Sequence, residues 1–161
     1  MTETETHWLP DEAATVEFGR AFGARMMSLF GGDALVYLQG ELGAGKTTLV
    51  RGLLRALGHS GAVKSPTYTL LEPYACNGQD VYHFDLYRVN DPQELSFVGF
   101  DEIIDGPGLK LVEWAERAQD WLPAPDVIVR LQVRQTTART SPVAEGGMGQ
   151  SVGREVIVEI C

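Results

Sequence analysis

Apolar side chains at Ala14, Phe18, Phe22, Met26 and Phe30 recur at the spacing of one helix face. The pattern predicts a helix from about Glu12 to Leu29, opened by Asp11 as N-cap after Pro10 and ended by Gly31-Gly32-Asp33. Its aromatic and methionine stripe reads as a core face. Ala34–Leu38 is then a short continuous apolar run, as in a buried strand. Thr48–Leu57 returns to helical spacing, with Gly58 as its stop signal. A polar connection from His59 to Thr67 leads to a predicted strand at Tyr68–Glu72 and a returning strand at Asp80–Leu86. Asn77-Gly78 between them is a strong hairpin-turn signal, so residues 68–86 are expected to form an antiparallel hairpin. Asp91-Pro92-Gln93-Glu94 opens a short helix ending near Gly99, and Asp101–Asp105 is a second short acidic element. Leu109–Glu113 reads as a strand and Trp114–Trp121 as helical. Val127–Val133 and Glu155–Ile160 are the last predicted strands. The Ser-, Thr- and Gly-rich stretch Arg134–Arg154 between them is expected to be a flexible hairpin loop.

The junction between the first strand and the second helix carries the chemistry. Gly40-Glu41-Leu42-Gly43-Ala44-Gly45-Lys46-Thr47 fits G-x-x-x-x-G-K-[ST], the phosphate-binding P-loop. Average composition produces that pattern in well under ~1 in 100 chains of this length. Strand, glycine loop and helix together turn backbone N–H groups toward a phosphate chain. The N–H groups of Gly43, Ala44, Gly45, Lys46 and Thr47 are expected to cradle a β-phosphate. Lys46 is placed to reach the β- and γ-oxygens, the Thr47 hydroxyl to bind Mg²⁺, and Thr48 to face the α-phosphate.

A P-loop needs an acid at the end of another strand to hold the metal directly or through water. Asp85 follows Val81-Tyr82-His83-Phe84, and Glu113 follows Leu109-Lys110-Leu111-Val112. Glu113 is the expected metal-side acid, and Asp85 is expected to orient water or support the metal's surroundings. Ser65-Pro66-Thr67 lies where a γ-phosphate-sensing segment is expected, although a proline turn has the same local signature. Trp114, directly after Glu113, is expected near the nucleotide mouth. His83 alternates with Tyr82 and Phe84 and reads as structural, and Arg88 reads as solvated.

Composition limits the function class. The 161 residues suffice for one domain, and no apolar run approaches the ~20 residues of a membrane span. Cys76 and Cys161 are far apart and belong to no Cys/His cluster, so neither a disulfide framework nor a structural zinc site is expected. The acidic N-terminus lacks the apolar segment of a secretory signal, which points to the cytoplasm. With 13 basic against 22 acidic residues and a formal net charge of -9, direct grip on a nucleic-acid backbone is not expected.

Several segments together resemble one family, TsaE, the small ATPase of bacterial tRNA threonylcarbamoyladenosine synthesis. They are GELGAGKTTL at Gly40–Leu49, KSPTYTL at Lys64–Leu70, YHFDLYR at Tyr82–Arg88 and LVEWAE at Leu111–Glu116, with LPDEAAT at Leu9–Thr15. The resemblance spans roughly residues 9–133. Glu41 stands where Asp is common in the family, and the tail after Val133 matches only loosely. The resemblance implies ATP and Mg²⁺ as ligands, with Thr47 and Glu113 at the metal. It implies Gly43 to Thr48, Trp114 and Glu12 at the nucleotide, and Asp85 and Thr67 in hydrolysis and partner coupling. It also implies docking on a TsaD–TsaB transferase pair, which hydrolysis resets between turnovers, with tRNA met only through those partners. The expected architecture is α/β over residues 1–161. It is a P-loop NTPase-like three-layer fold with a mixed central sheet, including an antiparallel hairpin after the P-loop helix. Two other readings fit a P-loop: a small-molecule kinase, and a nucleotide-locked protein-binding switch with little turnover. No Arg-rich lid segment supports the kinase, and no Asn-Lys-x-Asp motif supports guanine binding.

Overall fold

Asp11 caps the first helix as its position predicts, its carboxylate accepting the Ala14 N–H at 2.8 Å. The computed structural model describes residues 2–138 and 149–161. In chain order its elements are β1 (Glu3–Leu9), α1 (Glu12–Phe30), β2 (Ala34–Gln39), α2 (Lys46–Ala56), β3 (Leu71–Cys76) and β4 (Gln79–Asp85). There follow α3 (Phe100–Asp105), β5 (Leu109–Glu113), β6 (Val127–Ala138) and β7 (Gly149–Ile160). Short 3₁₀ helices run over Pro92–Val98 and Ala115–Trp121. No helix among the described residues is long and apolar enough to cross a membrane.

The strands form one sheet in the order β1-β7-β6-β2-β5-β4-β3. β2 is parallel to both β5 and β6, and β4 is parallel to β5. The β3–β4, β6–β7 and β1–β7 pairs are antiparallel. The expected mixed sheet with a hairpin after the P-loop helix is therefore present. Alternation along the strands divides the apolar residues between two faces. Met26 of α1 and Leu49, Leu53 and Leu54 of α2 pack with Val36, Leu38, Leu111 and Val129 on one side. Leu35, Phe84, Leu86 and Val112 pack with Leu95, Phe100 and Ile104 on the other. His83 and Lys110 interrupt the apolar runs of β4 and β5, and each is buried with a polar partner. Lys110 is 5% exposed and its ammonium donates to the Gly106 carbonyl at 2.7 Å.

α1 and α2 cross with almost no space between their backbones. A Cβ on Gly19 would collide with the Leu49 carbonyl, and one on Gly52 with the Val16 carbonyl. Alanine is the better helix former, yet Gly52→Ala should destabilise the fold by about 2–3 kcal/mol through overpacking. A thermal melt should show the midpoint roughly 5–10 °C lower. An unchanged or higher midpoint would mean the helices can separate freely.

Three expectations are corrected. The N-terminal Thr/Glu alternation, in which no strand was expected, forms β1. Along β7 it pairs from Glu3 with Ile160 to Leu9 with Arg154. Leu9 alone of these seven is buried, so the strand carries little apolar signal, and its charges suit a sheet edge. The strand expected at Tyr68–Glu72 begins instead at Leu71. The chain first turns at 66–69, closed by the Leu70 N–H on the Pro66 carbonyl at 2.9 Å, and Leu70 takes a left-handed φ of 70°. The loop expected over Arg134–Arg154 is strand at both of its described ends. β6 runs to Ala138 and β7 begins at Gly149, paired residue by residue. Arg134 and Gln135 are exposed, and strand positions that face water accept polar residues. The rest of that segment, 139–148, lies outside the described residues.

β1 is tied to α1 by a forked ion pair. Both terminal nitrogens of the Arg25 guanidinium donate to Glu5, at 2.8 and 2.7 Å, and together with a hydrogen bond from His7 they hold the Glu5 pKa down to about 2 from an ordinary 4.5. A depressed carboxylate contributes stability above its unfolded value and loses it as pH falls through the folded value. The pair should therefore act fully above pH 4.5 and fade between pH 4.5 and 2. In urea melts over that interval, Glu5→Gln should flatten the dependence of the midpoint on pH. Identical slopes would remove the pair from the acid response.

Candidate nucleotide and metal site

Gly45 is the N-cap of α2 with a φ of 103°, a left-handed backbone that glycine adopts at no steric cost. Gly40 is crowded, since a Cβ there would come 2.8 Å from the Leu131 carbonyl. The loop between them thus needs glycine at both ends. Ala44 turns its methyl into the core and gives its N–H to the Glu41 carbonyl at 3.0 Å. In this conformation it shapes the loop, and its amide is not available as a donor. Thr47 and Thr48 line a cleft of about 370 Å³, together with Gly43, Lys46, Thr67, Asp85 and Glu113.

Strand parity and register bring the two acids together. Asp85 and Glu113 are direct partners across the parallel β4–β5 pair, and Glu113 is also opposite Leu38 of β2. Val81, Leu38 and Leu111 share that parity and pack on the α1–α2 side, so both carboxylates face the start of the P-loop helix. Lys46 is 7% exposed. Its ammonium donates to the Gly40 carbonyl and lies 3.2 Å from Glu113 Oε1. It also stands 5.3 Å from the centre of the Trp114 ring.

Glu113 is held from its other side by His83, whose Nε2 donates to Oε2 at 2.6 Å. His83 is fully buried, and its Nδ1 has no hydrogen-bond partner among the described residues. Burial by itself pushes the Glu113 pKa up, but the His83 hydrogen bond and the Lys46 charge outweigh it and hold the group below its ordinary value. Glu113 is therefore an ionised carboxylate between two nitrogen donors.

Asp85 faces the segment expected to sense phosphate. Its Oδ2 accepts from the Thr67 hydroxyl at 3.3 Å, and Thr67 Oγ1 lies 2.8 Å from Ser65 Oγ. Asp85 Oδ1 accepts the Tyr87 N–H at 3.0 Å. Trp114 has a left-handed φ of 58°, uncommon for a bulky residue, which turns its ring to the cleft and against Tyr87 at 4.9 Å. Lys46 and Trp114 also wall a larger cleft of about 820 Å³, which extends past Leu42 and Glu116 to Arg134.

The structure thus gathers Gly43, Gly45, Lys46, Thr47, Thr48, Thr67, Asp85, Glu113 and Trp114 around one cleft. Glu12 is not brought to it. Its carboxylate accepts from Arg51 on α2 at 2.7 Å. Three residues of the site were not expected. His83 read as structural, although it lies two positions before Asp85 and so shares its face. Arg154 donates to the Ala44 carbonyl at 2.8 Å from the last strand, 110 residues away, and no motif marks it. Arg88 lines the cleft too, stacked 4.4 Å over the Tyr68 ring.

The donors suit Mg²⁺ better than a metal held by protein alone. Among the described residues no three His, Cys, Asp or Glu side chains cluster to form a cage. Mg²⁺ commonly uses one or two carboxylates, waters and substrate phosphates. A hydroxyl at Thr47 and ionised Glu113, with Asp85 beside it, match that set.

The fold and this site define a P-loop NTPase-like protein. A sequence model described as "Threonylcarbamoyl adenosine biosynthesis protein TsaE" matches residues 9–141. The tRNA threonylcarbamoyladenosine biosynthesis protein TsaE of Haemophilus influenzae is 42% identical over 151 residues, covering 93% of this chain and 96% of the relative. The protein of the same name from Rickettsia typhi is 33% identical over 134 residues, covering 83% and 90%. The crystal structure of Bacillus subtilis YdiB superposes with a TM-score of 0.68 at 24% identity, covering 99% of this chain and 87% of that one. This chain belongs to the TsaE family.

Proposed function

We propose that this chain binds ATP with Mg²⁺ in the smaller cleft and hydrolyses it as a subunit of the tRNA threonylcarbamoyladenosine machinery. The observation that carries this reading is Lys46 of the P-loop held against Glu113, with Asp85 its strand neighbour. Lys46 is engaged by Glu113 and the Gly40 carbonyl. A β,γ-phosphate chain offers the ammonium a denser set of anionic oxygens, so Lys46 would turn to it and release Glu113 Oε1. His83 would keep Oε2 fixed while that exchange takes place. Glu113 and the Thr47 hydroxyl would hold the metal. Mg²⁺, when bound, supplies neutralisation of charge on the β- and γ-oxygens. Asp85, hydrogen-bonded to Thr67, is the group left to orient a water, and the 65–67 segment is where the γ-phosphate would be felt. Trp114 would pack against the nucleotide.

The reading extends to partners. The names of the matched relatives place them in tRNA threonylcarbamoyladenosine biosynthesis. For this chain we infer docking on a TsaD–TsaB pair in the cytoplasm, with ATP hydrolysis resetting that assembly. The net charge of -9 suits a subunit that meets tRNA through partners. The test is phosphate release from ATP by the purified chain, with and without TsaD and TsaB. Release that rises with the partners and disappears on chelating Mg²⁺ supports the reading. Release indifferent to both would sink it, and phosphate transferred to a small acceptor would replace it with a kinase.

A further inference from the structure

Arg154 lies outside residues 9–141, over which the family model matches. It sits on β7, in register with Leu9 of β1 on one side and Val133 of β6 on the other. Its Nε donates to the Ala44 carbonyl at 2.8 Å and its Nη2 to the Gly43 carbonyl at 3.4 Å. The side chain rests against Gly45, where a Cβ would come 3.0 Å from Nε, and it lines the cleft that holds Lys46, Thr47 and Glu113.

The peptide plane gives this contact its meaning. In a trans peptide the carbonyl of one residue and the N–H of the next point in opposite directions. Holding the Ala44 carbonyl therefore fixes the Gly45 N–H, and holding the Gly43 carbonyl fixes the Ala44 N–H, which is bonded to Glu41. A glycine-rich loop does not hold such planes by itself, because glycine has a wide choice of backbone angles. A forked guanidinium spanning two consecutive carbonyls removes that choice. Its two known acceptors are neutral, and among the described residues none of the ion pairs includes Arg154. Its charge therefore stands at the cleft without a carboxylate partner among the described residues.

We propose that Arg154 is a positioning residue of the nucleotide site: it braces the P-loop from the carbonyl side and ties the β6–β7 strands to phosphate binding. This rests on the nucleotide-binding reading above. The test is calorimetric titration of the full chain with ADP and with inorganic pyrophosphate, comparing the native protein with Arg154→Ala and Arg154→Lys and using Lys46→Ala as control. Arg154→Ala should weaken both ligands about tenfold, the worth of one charge-assisted hydrogen bond. Arg154→Lys should recover little, because an ammonium cannot fork across two carbonyls. Hydrogen exchange at the Gly43–Gly45 amides should quicken in both variants while exchange in β4 and β5 stays unchanged. If Arg154→Ala does not fold, weaker binding by a folded Arg154→Lys supports the brace. Native affinity in either variant would overturn it. A native chain that binds neither ligand would instead remove the nucleotide reading itself.

Discussion

Replacing Lys46 with alanine should weaken ATP binding by about 100-fold or more, the loss of at least one strong contact between an ammonium and phosphate oxygens. The expectation follows from where the side chain already is. Lys46 starts α2, is nearly buried, and reaches Glu113 and the Gly40 carbonyl rather than solvent. The ammonium already lies inside the cleft, so meeting phosphate is a short exchange of partners rather than the ordering of a solvated side chain. The alanine variant also leaves Glu113 ionised with His83 as its remaining close partner. One side of a buried pair removed costs about 3–5 kcal/mol where water cannot enter, and less beside an open cleft. A second variant separates the two effects. Lys46→Met with Glu113→Gln removes both charges, should melt near the native temperature, and should still fail to bind ATP. Trp114, whose ring centre is 5.3 Å from the ammonium, provides the signal. Its fluorescence, read with Trp8 and Trp121 replaced by Phe, should respond to ATP in the native site and not in either variant. ATP affinity preserved in the double variant would separate the P-loop from nucleotide binding.

The parts of this site that were legible in the sequence are those fixed by local chemistry. Gly40, Gly45, Lys46 and Thr47 belong to one short stretch whose spacing requires a strand before it and a helix after it. Asp85 and Glu113 were legible as strand-end carboxylates, because each closes a predicted strand that is apolar except for His83 or Lys110. Their pairing was not, since it depends on the register between β4 and β5, which neither strand encodes alone. His83 was missed for the same reason. Its meaning comes from a carboxylate 30 residues away that only the sheet brings within reach. Arg154 sits deeper in that blind spot, on a strand whose polar pattern resembled a loop. At Tyr68–Leu70 the residues have strand-forming side chains, but the left-handed Leu70 and the turn from Pro66 decide the backbone. That turn carries Thr67 to Asp85 and the Leu70 carbonyl to the Asp85 N–H at 3.0 Å. The local rule fails where the chain builds one wall of the cleft, as expected at functional sites.

Glu113→Gln separates nucleotide binding from metal-dependent chemistry. The native carboxylate is shared between His83 at 2.6 Å and Lys46 at 3.2 Å, and those contacts hold it ionised despite burial. Glutamine keeps the shape and one carbonyl acceptor for His83, so the strand end should stay in place. The charge that restrains Lys46 is lost, so the ammonium is freer to meet phosphate, and ADP affinity without metal should hold or rise slightly. The opposite is expected once Mg²⁺ is required. A neutral amide is a poor ligand for a hard cation, and metal stabilisation of phosphate charge is worth several kcal/mol. Mg²⁺-dependent ATP turnover should therefore fall at least about 100-fold. The Mg²⁺ concentration needed to enhance nucleotide affinity should rise in parallel, a readout independent of turnover. Asp85→Asn makes the contrast, since Asp85 is tied to Thr67 and the Tyr87 N–H rather than to Lys46. It should lower turnover while leaving the Mg²⁺ dependence of binding near native. If Glu113→Gln keeps its Mg²⁺ response and Asp85→Asn loses it, the metal belongs to Asp85, and Glu113 serves only to hold Lys46.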